Sequence, residues 1–475
     1  MLFNSLHFLL FFIFVTTLYY TIPWKLRWVL LLAASAYFYA SFIPVYLLIL
    51  GVVIVVDYFA GIWIENSSGK KRLVLLILSL IANIGFLSFF KYFDFINNNI
   101  TAALQLIGQK NEIPPLRVMF PSLILPIGLS FHTFQSMSYT IEVYRGNQKA
   151  EHHFGIYSLY VLFYPQLVAG PIERPQNVLW QFREKFDFDW ENIRIGLTLI
   201  AWGMFKKVVI ADRLALVTDA AYADVPDQSA STLVIATFFY CFQIYCDFSG
   251  YSDIALGTAR VMGFKLMTNF NAPYFAESIS EFWSRWHISL STWFRDYVYI
   301  PLGGNRHGKA KLYFNTMVVF LLSGLWHGAD WKFIIWGCIH GVYLILARIF
   351  KTNTIFRPGN AGKGGPILVK IFHIIWTFLL VAFAWIFFRA QSVSQAFEII
   401  GKIFSFSSYG PPQIAMNSGE FIFSLGLLLL LILKDRFLPK YTPEARLFWA
   451  FFVPICLFCY LFGVFTSNQF IYFQF

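Results

Sequence analysis

Charged residues are scarce in this sequence of 475 residues: Asp, Glu, Lys and Arg together make up 13%, against about 25% in an average soluble domain. Hydrophobic residues make up 58%, and the mean hydropathy is +0.61. Because so few polar side chains cannot cover a water-exposed surface, this composition excludes an ordinary soluble domain. The chain is predicted to be a polytopic membrane protein.

The small number of cysteines and the lack of a nucleophile motif limit the kinds of site that this sequence can form. Cysteine occurs only five times, and the CxxC formed by Cys456 and Cys459 lies in an apolar segment without a second pair. We therefore predict neither a disulfide framework nor a zinc site, and interpret these cysteines as small buried hydrophobic residues. The sequence also lacks a G-x-S-x-G nucleophile elbow, which disfavours a Ser-His-Asp hydrolase.

Apolar stretches that suit a bilayer recur along the whole chain. A spanning helix needs about 20 mainly apolar residues, and shorter stretches suit re-entrant segments. We predict an all-α bundle of about a dozen transmembrane and re-entrant helices that forms one domain over residues 1–475. The N-terminal stretch lacks a basic region and a cleavage site, so it is expected to be a retained first helix. The stretches are 5–22, 28–42, 44–64, 73–90, 118–140, 154–170, 194–217, 231–250, 312–329, 331–350, 367–388, 421–434 and 448–465.

The net charge of +11 does not indicate nucleic-acid binding. Lys and Arg cluster in short connections between apolar stretches, as in GKKR (69–72), NRHGKAK (305–311) and the stretch from Arg348 to Lys370. This distribution follows the positive-inside rule for cytoplasmic loops. The partner that the charge predicts is therefore a lipid bilayer.

Polar residues crowd among aromatic ones in PYFAESISEFWSRWHISLSTWFRDYVYIPLGGNRHG (273–308). Glu281 and Arg285 stand four residues apart, with the acid first, in the order that favours an ion pair on a helix. Helical spacing predicts one amphipathic helix with His287 on its aromatic face. A packed interfacial helix whose histidine only bonds a backbone carbonyl is an equally compatible interpretation. The aromatic face comprises Trp283, Trp286, His287, Leu290, Trp293, Phe294 and Tyr297.

Two further histidines, His327 and His340, are each followed by glycine in LWHGADWKFIIWGCIHG (325–341). A histidine at membrane depth must find a partner or water and is by default a functional-site hypothesis. The residues from Gly328 to Trp331 suggest a turn between two antiparallel helices. The spacing of the two histidines matches no metal-ligand pattern, so we predict no metal.

Several long segments resemble the membrane-bound O-acyltransferase family, and most closely its bacterial branch that O-acetylates alginate, peptidoglycan and other exopolysaccharides. They are QLVAGPIERP (166–175), YCDFSGYSDIALGTARVMGF (245–264), EFWSRWHISLSTWFRDYVYIPLGGNR (281–306), LSGLWHGADWKFIIWGCIHG (322–341) and the terminal FIYFQF (470–475). The resemblance implies helices around a central tunnel, with the acyl donor entering from the cytoplasm and the acceptor from outside. It also places the protein in the bacterial cytoplasmic membrane.

The resemblance further implies roles for individual residues. His327 corresponds to the central catalytic histidine and would be the general base, while His287 would be a polar partner that orients donor or acceptor. Trp286, Trp326, Arg295, Asp296 and His340 are expected to line the tunnel. No bound cofactor is implied: acetyl-CoA or another acyl thioester would be a substrate. The acceptor would be a polysaccharide hydroxyl or an extracytoplasmic acetyltransferase partner.

Three alternatives stay open at this point. A D-alanyl transfer protein of teichoic acid modification resembles the chain in the same histidine motifs and would take its acyl group from a carrier protein. A proton-coupled transporter would need no acyl donor, and its relay would comprise Asp57, His132, Asp247 and Asp253. A scaffold that recruits a polysaccharide synthase would tolerate the loss of His327.

Overall fold

The structure is a computed structural model that describes residues 1–120, 128–168, 170–350, 366–438, 446–465 and 470. Every regular element within these ranges is helical, as predicted. The first nine helices are α1 (Leu6–Thr21), α2 (Arg27–Ala40), α3 (Val45–Glu65), α4 (Gly69–Leu87), α5 (Phe93–Leu106), α6 (Leu116–Met119), α7 (Leu129–Arg145), α8 (Phe154–Leu162) and α9 (Pro175–Val178).

Eleven more α-helices complete the described chain. They are α10 (Trp190–Met204), α11 (Asp212–Ala223), α12 (Ala230–Val261), α13 (Ile279–Arg285), α14 (Ile288–Phe294), α15 (Gly308–His327), α16 (Trp331–Ile349), α17 (Ile367–Arg389), α18 (Val393–Phe404), α19 (Ser418–Phe437) and α20 (Phe448–Phe462). Most of the basic stretch from Arg348 to Lys370, and the terminal FIYFQF apart from Phe470, lie outside the described residues.

Five helical runs are long and apolar enough to cross a membrane, among the residues that the structure describes. They are α3, the run Gly69–Leu106 that joins α4 to α5, α12, α16 and α17, and two shorter apolar helices, α1 and α20, accompany them. A π-helical segment, Ser88–Tyr92, connects α4 with α5. The multi-pass membrane character is thereby confirmed, while the total of about a dozen segments stays a prediction.

The chain divides into two compact units. The first comprises Met1–Gly196 and Ala255–Met267, and the second Leu197–Ile254 and Thr268–Phe475. In the first unit, α7 is buried on nearly all sides although it carries many hydroxyl and amide side chains. That a single domain covers the whole chain stays a prediction.

The second unit contains the predicted antiparallel pair α15 and α16, joined by a turn over 328–330 as expected. The two backbones lie so close that a side chain at Gly324 would overlap the carbonyl of Phe333, and one at Gly337 would overlap the carbonyl of Phe320. Asp330 begins α16 by accepting a hydrogen bond from the amide of Lys332 at 2.9 Å. His327 is thereby held at the last position of α15.

The prediction of one amphipathic helix through His287 is wrong. The helix stops at Arg285, Trp286 is extended, and His287 adopts the left-handed conformation with φ 43° before α14 begins. The break is possible because other backbone groups replace the lost helical hydrogen bonds: Asn271 donates to the Arg285 carbonyl at 2.9 Å, and Ile288 donates to the Asn269 carbonyl at 3.0 Å. Aromatic periodicity continues across the break and therefore does not reveal it.

Candidate active site

His287 lies fully buried in the second unit, between two short helices. Its ring meets Phe248 of α12 edge to face at 4.7 Å and Trp326 of α15 at 6.0 Å, both measured between ring centroids. A left-handed conformation is uncommon for residues other than glycine, and such strain concentrates at functional sites. The surrounding chain thus holds His287 in a backbone conformation that a histidine does not favour.

The side chain of Asn269 determines which nitrogen of His287 carries the proton. Its Oδ1 accepts hydrogen bonds from the Ser289 amide at 3.2 Å and the Ser289 hydroxyl at 2.9 Å. His287 Nδ1 lies 3.2 Å from the same oxygen. Since an amide N–H only donates, this atom is the oxygen, and Nδ1 must donate to it. Neutral His287 consequently carries its lone pair on Nε2.

The charge state of His287 follows from its burial. Desolvation of the ring lowers the pKa of His287 to about 3, because burial disfavours the charged form. The imidazole is therefore neutral throughout the pH range of living cells. A neutral imidazole with a lone pair on Nε2 can accept a hydrogen bond or a proton from a substrate.

His327 is also buried and lies in a cage of aromatic rings. Its ring centroid is 4.9 Å from that of Trp326, 5.0 Å from that of Trp336 and 5.3 Å from that of Phe388. Trp326 thus touches both His327 and His287, and it joins the two predicted catalytic residues within one unit. The described geometry brings together the residues to which the sequence resemblance assigns the chemistry.

His340 extends this cluster on the other side of Trp336, at 5.1 Å between ring centroids. Its Nδ1 accepts a hydrogen bond from the indole N–H of Trp283 at 3.3 Å. The partner is therefore an indole, and not the backbone carbonyl or water that a buried histidine most often finds. Because Nδ1 accepts, neutral His340 carries its proton on Nε2. It presents a donor where His287 presents an acceptor.

Trp286 belongs to the same cluster, and Arg295 and Asp296 form an ion pair with each other. The Trp286 ring lies 5.1 Å from that of Trp385 on α17, which stacks on Trp336 at 5.7 Å. Arg295 Nε bonds Asp296 Oδ1 at 2.7 Å, and the Arg295 side chain is 60% exposed. A role for this pair in the tunnel lining stays a prediction.

The predicted pair of Glu281 and Arg285 is confirmed, with Arg285 Nη2 2.6 Å from Glu281 Oε1. Glu281 also accepts a hydrogen bond from the amide of Glu277 at 2.8 Å, and Ser278 caps α13 by accepting from the Glu281 amide at 3.2 Å. These contacts form a capping arrangement at the helix start. Both charged residues therefore stabilise α13 structurally.

The second unit contains a buried group of charges whose lysines the sequence analysis did not predict. A π-helical segment, Phe205–Ala211, places two consecutive lysines inside. Lys207 Nζ lies 2.9 Å from Asp212 and 2.5 Å from Asp247, and Lys206 Nζ lies 2.7 Å from Asp253. Both carboxylates that the transporter hypothesis takes from α12 are thus engaged in ion pairs.

The other two residues of the transporter hypothesis lie in the first unit. Asp57 Oδ1 accepts hydrogen bonds from the Ser79 hydroxyl at 2.7 Å and from the Asn83 amide at 2.9 Å. His132 is buried and meets Tyr39 edge to face at 5.7 Å between ring centroids. Asp57 is thus fixed by neutral donors of the helix next to it, in an arrangement that suits a structural role.

Glu173, in the motif QLVAGPIERP, is a second buried ionisable group of the first unit. Its carboxylate accepts hydrogen bonds from the Met267 amide and, at 3.2 Å, from the Asn177 side chain. Burial raises the pKa of Glu173 to about 7. The motif therefore fastens the loop before α9 to the chain segment that follows α12.

Asn269 is the main residue of the site that sequence reasoning missed. It lies 18 positions before His287, in the segment KLMTNFNAP (265–273), which has no periodicity and no catalytic pattern. Its two asparagines indicate only a turn. The terminal motif contributes Phe470, whose ring packs on Phe248 at 5.7 Å and thus supports the ring that touches His287.

These features define a class of protein: a multi-pass membrane protein with oriented imidazoles buried among aromatic rings, an arrangement that suits proton transfer to and from a substrate. Comparison with known proteins extends this assignment from a class to a family. Residues 147–383 match the family model of the membrane-bound O-acyltransferases. The chain is 38% identical over 394 residues to a probable alginate O-acetylase of Pseudomonas aeruginosa, covering 82% of this chain and 72% of the relative.

Two further relatives agree with this match. The peptidoglycan O-acetyltransferase of Helicobacter pylori is 36% identical over 420 residues, covering 82% of this chain and 76% of the relative. The teichoic acid D-alanyltransferase of Bacillus subtilis is 28% identical over 272 residues, covering 54% and 67%. The chain belongs to the membrane-bound O-acyltransferase family, and its activity is O-acyl transfer, as the resemblance predicted.

Proposed function

We propose that this enzyme transfers an acetyl group from a cytoplasmic thioester, such as acetyl-CoA, to O-acetylate a cell-surface or secreted polysaccharide. The membrane is the bacterial cytoplasmic membrane. The acceptor is a polysaccharide hydroxyl or the hydroxyl of an extracytoplasmic transferase that passes the group on. Two relatives, 38% and 36% identical to this chain, carry names of alginate or peptidoglycan O-acetylation, which supports this acceptor class.

The observation that carries the proposal is the contact of His327 and His287 with the same tryptophan, Trp326. In the proposed reaction His327 is the general base. The acceptor oxygen attacks the thioester carbonyl while its proton passes to the His327 imidazole. The carbon–sulfur bond then breaks, and the proton from the imidazole neutralises the thiolate. The products are an ester and a free thiol, so all atoms and protons balance.

The weaker similarity to teichoic acid D-alanyltransferases supports a second candidate acyl group, D-alanine. Its donor would be a carrier protein and not a free thioester of small size. Both candidates share the same chemistry at His327 and differ in what the donor delivers. A test of the function must therefore measure both acyl groups.

The test is an analysis of the surface polymers of cells with the gene, without it and with the gene restored. We expect ester-linked acetate to disappear on deletion and to return with the wild-type gene, while polymer-linked D-alanine stays constant. Loss of D-alanine with constant acetate would favour the second candidate. Unchanged amounts of both would contradict O-acylation of a surface polymer.

A further inference from the structure

Asn269 and His287 form a hydrogen-bonded pair whose geometry affects the chemistry of the imidazole as well as the stability of the fold. Three donors converge on Asn269 Oδ1: the Ser289 amide, the Ser289 hydroxyl and His287 Nδ1, at 2.9 to 3.2 Å. The side-chain amide nitrogen of Asn269, Nδ2, in turn donates to the Ser252 hydroxyl at 3.4 Å. With both ends of its side chain engaged, Asn269 cannot turn over and offer a donor to the imidazole.

The resulting tautomer limits what His287 can bind. Its Nε2 has a lone pair and no hydrogen, so it accepts hydrogen bonds and does not donate them. The carbonyl oxygen of a thioester has only lone pairs, and such an oxygen finds no partner in Nε2. A hydroxyl group brings the hydrogen that this nitrogen lacks.

We propose that Asn269 is a positioning residue that holds His287 in this tautomer, so that His287 Nε2 accepts a hydrogen bond from a hydroxyl of the acceptor polymer next to the one that attacks, and does not bind the acyl carbonyl. This inference rests on the proposed function, since it assigns the two substrates of that reaction to different sides of the site. It also decides between the two roles, orienting donor or orienting acceptor, that the family resemblance leaves open for His287.

The backbone supports the same interpretation. His287 is held in the left-handed conformation, and the next amide, that of Ile288, bonds the Asn269 carbonyl at 3.0 Å. Strained conformations of this kind persist only where the surroundings enforce them. Asn269 thus fixes both the main chain and the ring of the same residue, and it is itself only 1% exposed.

The charged and titratable groups around His287 are few. The packed helix α12 brings Asp247 next to Phe248, and the packed helix α15 brings His327 next to Trp326. Asp247 pairs with Lys207 and Asp253 with Lys206, while Arg285 of α13 pairs with Glu281. Desolvation is the main cause of the lowered pKa of His287. A new carboxylate at position 269 is therefore a strong perturbation of this imidazole.

The test is the Asn269→Asp variant of the full chain in membranes, supplied with labelled acetyl-CoA and with de-O-acetylated polymer from the producing cells. The carboxylate still accepts from all three donors, but its charge stabilises the imidazolium form of His287. An adjacent opposite charge shifts a pKa by about 1–3 units. We expect the acid limb of the activity profile to move to higher pH by at least about one unit.

The kinetic constants separate the two substrates. At a pH on the shifted limb, we expect the KM for the polymer to rise by about tenfold, equivalent to ~1.4 kcal/mol, while the KM for acetyl-CoA stays at its wild-type value. The matched control is Asn271→Asp, which adds the same charge two residues further on at an exposed side chain. This control is expected to keep the wild-type profile and both constants.

A second variant covers the case in which Asn269→Asp does not accumulate. Ser289→Ala removes one donor from Asn269 and keeps the backbone amide, so the polymer KM should rise by a few-fold, as expected for one hydrogen bond of about 1 kcal/mol. A raised KM for acetyl-CoA with an unchanged polymer KM, or a wild-type acid limb in Asn269→Asp, would overturn the inference. Wild-type membranes that transfer no acetyl group would instead refute the proposed function.

Discussion

His327 and Trp336 meet edge to face, with ring centroids 5.0 Å apart and ring planes at 88°. The two residues lie on consecutive helices, α15 and α16, whose backbones are pressed together at Gly324 and Gly337. The orientation of the imidazole is therefore set by the packing of a helical hairpin and not by a loop. This arrangement makes the site sensitive to small changes in the hairpin.

Replacing His327 with alanine is expected to abolish acyl transfer while the protein still accumulates in the membrane. The proposed role is proton transfer, and general-base catalysis contributes about 10²–10⁴-fold to a rate. The measurement is polymer acetylation at equal protein level. His307→Ala is the matched control, because His307 is exposed at the start of α15. Wild-type acetylation in the His327 variant would exclude the general-base role.

His287 and His340 are expected to differ in importance. We predict that His287→Ala lowers activity at least tenfold, about 1.4 kcal/mol of barrier, because it removes the acceptor nitrogen. His340→Gln should lower it less, because the glutamine carbonyl can accept the hydrogen bond that Trp283 now gives to His340. Both variants are assayed side by side in membranes. An inactive His340→Gln beside a fully active His287→Ala would reverse the assignment.

A methyl group at Gly324 is expected to destabilise the hairpin. It would overlap the Phe333 carbonyl, a backbone group that cannot rotate away, and overpacking of this kind typically costs about 1–3 kcal/mol. We predict that Gly324→Ala lowers the thermal unfolding midpoint in detergent and reduces activity. Gly426→Ala is the control, since a side chain there meets nothing within 4 Å. Equal midpoints for both variants would show that the hairpin tolerates expansion.

Glu173 is expected to make stability depend on pH. Burial raises the pKa of Glu173 to about 7 from its ordinary value of 4.5, so between these values the folded protein holds a proton that the unfolded chain releases. Stability therefore falls as pH rises through this window. We predict that the unfolding midpoint falls less between pH 5 and pH 8 in Glu173→Gln than in the wild type.

The control for this prediction is Glu191→Gln, which makes the same change at an exposed glutamate. It should reproduce the wild-type dependence on pH. A wild-type dependence in Glu173→Gln as well would mean that another group is responsible for any slope observed.

The helices were predictable because the bilayer imposes a strong pattern on sequence. Segments 367–388 and 331–350 appear in the structure as Ile367–Arg389 and Trp331–Ile349, since backbone groups in lipid must bond within their own helix. Gly328 and Asp330 likewise marked the turn of the hairpin. The family and the two principal histidines were predictable because the long motifs that contain them are recognisable in the sequence alone.

The organisation around His287 was not predictable from the sequence. The helical spacing of Trp283, Trp286 and Trp293 continues through the break. Packing against several helices favours aromatic side chains in any local backbone conformation, so their spacing does not mark where the helix ends. The break depends on backbone hydrogen bonds to Asn269 and Asn271, and such tertiary partners leave no periodic signal. The pairing of Trp283 with His340 spans 57 positions and is invisible for the same reason.

The position of His327 at the final residue of the 20-residue helix α15 has an electrostatic consequence. Peptide dipoles along a helix add up to about half a negative charge at its C-terminal end, and this end stabilises a cation by about 0.3–2 kcal/mol. When His327 takes the proton of the attacking hydroxyl in the proposed reaction, its new positive charge arises at that end. The helix therefore stabilises the imidazolium as it forms, in surroundings that contain few mobile charges to screen the effect.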